Sequence, residues 1–272
     1  MAEAVPAPFE RPDAGFNDLD GWTWVGCYGG YYLQCDLLEG FEHGFFTRQW
    51  HGRGPEVLAG YLSAGVSIHR PQQVHGARVL EARQARAEPW PEADSLVSNE
   101  GGQSLWVCGA DCTPVLLADP RSGRVGACHA GWRGVAGRIV PAAIEALEAA
   151  GSRRGDLRVA LGPAISGARY QVDGPVVAAV AAGLEADPAD PTDTDAALEL
   201  LRRGAAVAED PEPERHRLDI RAATVLQLLR GGLEADQISV CPLCTASEPA
   251  LFHSWRRDQV KAVQWSGIVA QA

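Results

Sequence analysis

Lysine is almost missing from this chain: of 24 basic residues in 272, only Lys261 is a lysine. Genome composition accounts for such an arginine bias, which points to no function by itself. Net positive charge is missing too. The formal charge is -11 and the pI about 5.1, which argues against a nucleic-acid or anionic-membrane surface, where a basic patch is needed. A small anionic substrate stays compatible, because a pocket in an acidic protein can hold a few arginines. No apolar run approaches the roughly 18 residues of a membrane span, and the N-terminus lacks the basic stretch and apolar core of a secretory signal. Neither G-x-x-x-x-G-K-[ST] nor G-x-G-x-x-G occurs, so the phosphate loops of P-loop and dinucleotide-binding folds are excluded. The seven cysteines are odd in number and scattered. That pattern fits reduced thiols in a cytoplasmic protein rather than a disulfide scaffold.

The length and a hydrophobic content of 46% suffice for one large core. Residues 1–20 read as a mobile polar lead-in and 21–272 as a single domain. Short apolar runs bounded by Gly, Pro or Asp predict strands at 22–35 (broken by Gly), 77–82, 104–109, 114–118, 124–128, 157–161 and 237–241. Helical periodicity alternates with the later ones. Val135, Ile139, Ala143 and Leu147 share a face over 135–150, where Pro141 either kinks the helix or begins its main part. A second helix is expected at 175–184. A third runs over 218–230, with Asp219 as N-cap and Gly231-Gly232 at its end. The alternation predicts an α/β class. Residues 184–217 differ: ten acidic residues and four arginines give this stretch -6 of the total charge, and it holds four prolines. It reads as an acidic insertion, an exposed loop at its flanks with room for a short helix at 195–203.

Three segments stand apart: QQVHGARV around His75, CGADCTPVLLAD around Cys112 and GACHAGWRGVAG around His129. Cys112 lies just before the strand at 114–118 and His129 just after that at 124–128. The turn at 120–123, Pro-Arg-Ser-Gly, fits an antiparallel hairpin whose open end brings 112 and 129 together. His75 can join them only through the tertiary fold. Two imidazoles and a thiolate suit Zn²⁺ and leave a fourth position open. Zinc so held lowers the pKa of water and supplies a nucleophile near neutral pH. Any one of the three taken alone reads as an ordinary core or surface residue; their shared context reverses that. CPLC at 241–244 has C-x-x-C spacing but no second pair and no H-x-E partner motif, so it reads neither as a zinc ribbon nor as a classical zinc deaminase.

The series HGFFTR (43–48), QVHG (73–76), ADSLV (93–97), ADCTPV (110–115), CHAGWRG (128–134), LGPAISGARYQV (161–172), CT (244–245) and FHSWRRD (252–258) resembles, in order, the motifs of the YfiH-type family. This family is also called the laccase-domain or polyphenol-oxidase family, and some members are named peptidoglycan editing factors. The resemblance runs from about Trp24 to Val269. It implies a four-layer α/β/β/α sandwich with mixed sheets, and zinc ligands at His75, Cys112 and His129. The chain departs from the pattern after the RRD motif, where a Gly-rich turn and Thr-Gly-Arg are replaced by QVKAVQWSGIV. The pocket's C-terminal wall is expected to differ accordingly. Despite the laccase name, the histidines at 43, 51, 69, 75, 129, 216 and 253 include no His-X-His pair, so a multicopper centre is not expected; adventitious Cu²⁺ at the His/Cys/His site is compatible with N/S ligands.

Other groups are candidates around the metal. Arg48, Arg133, Arg256 and Arg257 suit a phosphate or carboxylate. His43 reads as a proton shuttle, an electrostatic contact or a structural hydrogen bond. Asp94 and Asp111 suit ligand orientation, and Tyr170 and Trp132 either line a pocket for a flat base or pack. The resemblance implies a purine nucleoside enzyme with nucleoside and phosphate as partners. Its reactions would be phosphorolysis of adenosine, inosine, guanosine or methylthioadenosine, with adenosine deamination at the same site. The alternatives are an amidase-like editing hydrolase acting on a cell-wall precursor, with the metal or a Cys112–His129 pair attacking an acyl carbon, and a non-catalytic metal-binding partner protein. Oligomeric state is left open.

Overall fold

A computed structural model of the protein describes residues 19–27, 30–184 and 194–271. Most of the expected lead-in therefore lies outside the described residues, as does 185–193 of the acidic segment.

Two six-stranded mixed sheets carry the fold. The first is ordered β1 (Trp22–Cys27), β2 (Gly30–Cys35), β3 (His43–Phe46), β15 (Gln264–Val269), β7 (Gln103–Gly109) and β4 (Ser67–His69). The second runs β14 (Ile238–Val240), β10 (Arg158–Leu161), β8 (Thr113–Ala118), β9 (Val125–Ala130), β6 (Ser95–Val97) and β5 (Val79–Glu81). Only the pairs at the ends are parallel: β4 with β7, β5 with β6 and β10 with β14.

Side chains alternate across a strand, and here each face of each sheet has its own apolar partner. Along β7, Leu105 and Val107 enter a core shared with Leu116, Ala118 and Ala127 of the second sheet. Trp106 points the other way, onto Leu58 and Ala59 of α1 (Pro55–Leu62). Along β8, Val115 and Leu117 face a third core containing Ile139, Ala143 and Leu147. The order is thus helix, sheet, sheet, helices: the four-layer α/β/β/α arrangement. Strands covered on both sides read as continuous apolar runs, and each fully buried Leu, Val or Phe contributes about 1.5–3 kcal/mol.

The helix expected at 135–150 is two: α2 (Trp132–Ala136) and α3 (Ile139–Ala149). Arg138 sits between them in the left-handed region (φ 62°). Pro141 falls in the first turn of α3, where a missing N–H costs no bond. The helix at 175–184 is α4 (Gly174–Ala182). The acidic segment holds the short helix expected at 195–203 and corrects the loop expected at the flank after it, which carries two strands. It contains α5 (Thr194–Arg203), and with β11 (Gln171–Asp173) it builds a small antiparallel sheet from β12 (Val207–Glu209) and β13 (Arg215–Leu218). The reason is apolar: Ala197, Leu201, Ala206, Val207 and Leu218 all enter the helix-side core, while the acidic side chains at 209–214 are mostly exposed. The next helix, α6 (Ile220–Arg230), is N-capped by Asp219, whose carboxylate accepts from the backbone N–H groups of Arg221 and Ala222.

Candidate metal centre

The hairpin of β8 and β9 sets the site. Thr113 pairs with Ala130 and Pro114 with His129, and the far end closes through Asp119 and Gly123 (φ 74°). His129 is within β9 rather than beyond it, one residue from its end. Cys112 therefore emerges beside it from the turn joining β7 to β8. His75 arrives on the loop between β4 and β5. Gln73 fastens that loop by exchanging two 2.7 Å bonds with the backbone of Cys108.

Asp94, fully buried just before β6, completes the placement. Its carboxylate accepts the backbone N–H groups of Val74 (3.2 Å), His75 (2.9 Å) and Gly76 (2.7 Å), and lies 2.8 Å from His129 Nδ1. One carboxylate thus shapes the His75 loop and orients the His129 ring, leaving Nε2 for another partner. Two site residues occupy the left-handed region that side chains other than glycine rarely adopt: His75 (φ 60°) and Asp111 (φ 100°). Asp111 is held by Thr245 Oγ1 (2.6 Å) and the Arg256 N–H (2.7 Å), which ties the Cys112 turn to α7 (Trp255–Asp258). Gly131 is required by close approach, since a Cβ there would lie 2.8 Å from Cys112 Sγ and 3.4 Å from the His75 ring.

The ligand-capable atoms of His75, Cys112 and His129 lie within 4.8 Å of one another, so the three could hold a metal ion. Their rings and charges are coupled. Burial pushes the Cys112 thiol up, but hydrogen bonds with His129 and His75 and their charge outweigh it and hold the thiol down to about 6. Burial alone would lower His129; Asp94 and Cys112 raise it to about 9. Burial likewise works against the Asp94 carboxylate, and its bonds to His129, Gly76 and Val74 bring it below the usual range. A thiolate available near neutral pH, beside an imidazole oriented by a carboxylate, is a donor set that fits zinc.

The three open into a cleft of about 690 Å³ that Trp132, Arg133, Tyr170 and Arg256 also line, a size suited to a small molecule. Arg256 lies over the Tyr170 ring at 4.8 Å and Arg133 over the Trp132 ring at 4.3 Å. Burial, with the nearby Cys112 charge, pushes the Tyr170 hydroxyl up to about 12.

Three sequence candidates are not at the cleft. His43 is buried in β3; its Nε2 accepts from the Cys35 N–H (2.8 Å) and its Nδ1 donates to Phe41 O (2.7 Å). With both nitrogens engaged, the ring cannot shuttle protons, and the structural alternative is the one seen. Arg48 donates to Pro249 O at 2.6 Å and secures that loop. Arg257 spends its guanidinium on the carbonyls of Thr245 and Phe252 and on Asp258. Sequence reasoning passed over Gln73, Gly131, Thr245 and Lys261, of which Gln73 and Lys261 line the cleft.

Fold and site together define a class: a mixed-sheet α/β protein with a His/Cys/His group that could hold a metal ion, opening into a cleft of small-molecule size. A family model described as "Multi-copper polyphenol oxidoreductase laccase" matches residues 56–271, and the chain belongs to this family. The purine nucleoside phosphorylase of Synechocystis sp. is 43% identical over 258 residues, spanning 92% of this chain and 98% of that protein. Among solved structures, YlmD from Geobacillus stearothermophilus aligns with a TM-score of 0.76 at 27% identity, over 92% of this chain and 99% of its own. The Bacillus licheniformis hypothetical protein YfiH gives 0.72 at 25% identity, over 88% and 96%. Homology to a protein named purine nucleoside phosphorylase supports an enzyme of this family. The family description says multi-copper, yet among the described residues one group, of three side chains, could hold a metal ion. A multinuclear copper cluster does not fit them.

Proposed function

We propose that this chain is a zinc-dependent purine nucleoside enzyme, which phosphorolyses adenosine, inosine, guanosine or methylthioadenosine and deaminates adenosine at the same site. The observation that carries the reading is the His75/Cys112/His129 group opening into a cleft lined with aromatic rings and cations. Its support by homology is the 43% identity to a protein named purine nucleoside phosphorylase. Zinc bound by the three ligands would supply Lewis acidity and lower the pKa of water in the cleft towards neutrality. Tyr170 and Trp132 offer flat surfaces for the base. Arg133 and Arg256 supply positive charge for the phosphate oxygens. In phosphorolysis the glycosidic C–N bond breaks, a C1′–O bond to phosphate forms, and the base leaves with a proton. Asp94 and Asp111 act at one remove, by holding the ligand loops. The seven free cysteines agree with a cytoplasmic setting, and no helix among the described residues is long and apolar enough to cross a membrane.

One observation favours a second reading. With Cys112 down at about 6 and His129 up at about 9, the metal-free pair is a thiolate beside an imidazolium. Such a pair suits nucleophilic attack on an acyl carbon, as in an editing hydrolase acting on a cell-wall precursor. Nucleoside turnover with and without phosphate, before and after verified metal removal, tests the first reading, and hydrolysis of an acyl substrate by the metal-free protein tests the second. The nucleoside reading expects phosphate-dependent turnover that disappears on metal removal and returns with zinc. Full nucleoside turnover by the metal-free protein would overturn the metal mechanism and leave the Cys112 thiolate as nucleophile with the His129 imidazolium as its proton donor.

A further inference from the structure

The segment 259–263 joins α7 to β15 and contributes to the lining of the metal cleft. Both ends are fixed. Gln259 closes α7 in the left-handed conformation (φ 54°), and β15 lies inside the first sheet between β3 and β7. Between them the Ala262 N–H bonds to Val260 O at 2.9 Å, a three-residue turn with Lys261 at its apex. The flanking Val260 and Val263 are exposed apolar residues (59% and 41%). Lys261 makes no hydrogen bond and no ion pair among the described residues, so its three N–H donors are free for a ligand.

The other charges around the cleft are more committed. Arg256 donates to Gln171 O at 2.8 Å while lying on Tyr170, and Arg133 lies on Trp132. Asp111 is the acidic group lining the cleft, and both its oxygens already accept hydrogen bonds. A chain of net charge -11 thus gathers three cations around one cleft and keeps the carboxylate that lines it occupied.

We propose that Lys261 is the principal binding group for inorganic phosphate in this cleft, with Arg256 and Arg133 assisting from their aromatic supports. The assignment deepens the phosphorolysis reading and rests on it for the role of the bound phosphate. An ammonium on a flexible stem, held at a fixed turn, can follow a tetrahedral oxyanion through its rotatable donors, whereas the two guanidinium groups are held over rings.

The composition makes a direct test available. An N-hydroxysuccinimide ester acetylates only two amines in this chain, Lys261 and the α-amino group. Labelling of the intact protein is followed at both by peptide mass spectrometry, in phosphate and in chloride of matched ionic strength. Phosphate should slow acetylation of Lys261 several-fold and leave the α-amino group unaffected. Lys261→Gln should raise the apparent KM for phosphate by about tenfold, more than that for nucleoside, the loss expected for a charged hydrogen bond. Equal labelling of Lys261 in phosphate and chloride would overturn the assignment, even if the wild type phosphorolyses nucleosides. Protection without phosphorolysis would uphold Lys261 as the phosphate site and remove the phosphorylase reading instead.

Discussion

His43 and His69 on one side, His75 and His129 on the other, are four histidines of the same two sheets and their connecting loops, with opposite surroundings. His69 places Nδ1 at 2.6 Å from Ala82 O and Nε2 at 2.8 Å from Ser67 Oγ, and His43 is closed in the same way by Phe41 and Cys35. Each closed ring has a partner at either nitrogen, drawn from backbone or hydroxyl, and no free atom. His129 has one nitrogen anchored by a carboxylate, while its other side and His75 converge on the Cys112 thiol. Burial does not separate the two kinds, since His43 and His129 are both almost wholly buried (2% and 3% exposed). What separates them is whether a nitrogen is left over and what it shares.

The largest expected effect is on the open pair. Cys112→Ser, His75→Ala or His129→Ala should each lose bound metal and lower nucleoside turnover on the order of a thousandfold or more, and a double replacement should be little worse than a single one. Non-additivity of this kind marks residues that serve one device. Additive losses, or full metal content by elemental analysis in any of the three, would break the comparison.

A smaller effect is expected at the anchor. Asp94→Asn keeps the shape but loses the charge opposite His129 Nδ1 and one acceptor for the 74–76 backbone. Metal affinity measured by competition with a chelator should fall by roughly 10- to 100-fold. An unchanged affinity would mean that the loop holds its ligand geometry without this carboxylate.

The contrast explains what could be read from the sequence. The hairpin, the capped helix at 218–230 and the convergence of Cys112 with His129 follow from local patterns: a Pro-Arg-Ser-Gly turn, an Asp before a periodic run, and apolar strands of matched length. The four layers and His75's arrival came only through family resemblance, because a loop between β4 and β5 carries no local signal of where it packs. His43 could not be decided from sequence because its partners, Phe41 O and the Cys35 N–H, are backbone groups that any residue could provide. Lys261 was missed because an exposed turn residue looks the same in sequence whether it faces bulk water or a cleft. The acidic segment misled for the opposite reason. Its charge dominates the composition, while the few apolar residues that order it are sparse.

His43→Ala should separate the closed kind from the open kind. Removing the ring leaves the Cys35 N–H and Phe41 O buried without partners, which costs about 1–3 kcal/mol in a urea titration. Zinc content of the folded protein should match the wild type. Loss of zinc at unchanged stability would return His43 to the site.

The smallest effect concerns pH and uses the same residue. Burial lowers His43 below the ordinary 6.5, outweighing the bonds to Phe41 and Cys35 and the charge of Asp36, all of which raise it. In the unfolded chain the ring takes up a proton near 6.5; in the folded chain it resists until a lower pH. Between those two values the unfolded state binds more protons, so stability rises with pH there. The His43 contribution is therefore fully present above about 6.5, shrinks as the pH falls to the folded value, and changes no further below it. One such proton limits the slope to about 1.4 kcal/mol per pH unit. His43→Gln keeps an acceptor for Cys35 and a donor for Phe41 but cannot titrate. Its stability at pH 7.5 should be lower than that of the wild type or close to it, and its decline below about 6.5 should be shallower by up to that slope. Urea midpoints measured across this window check it. Parallel declines in the two proteins would show that His43 does not take up the proton on unfolding, and the closed histidine would lose its defining property.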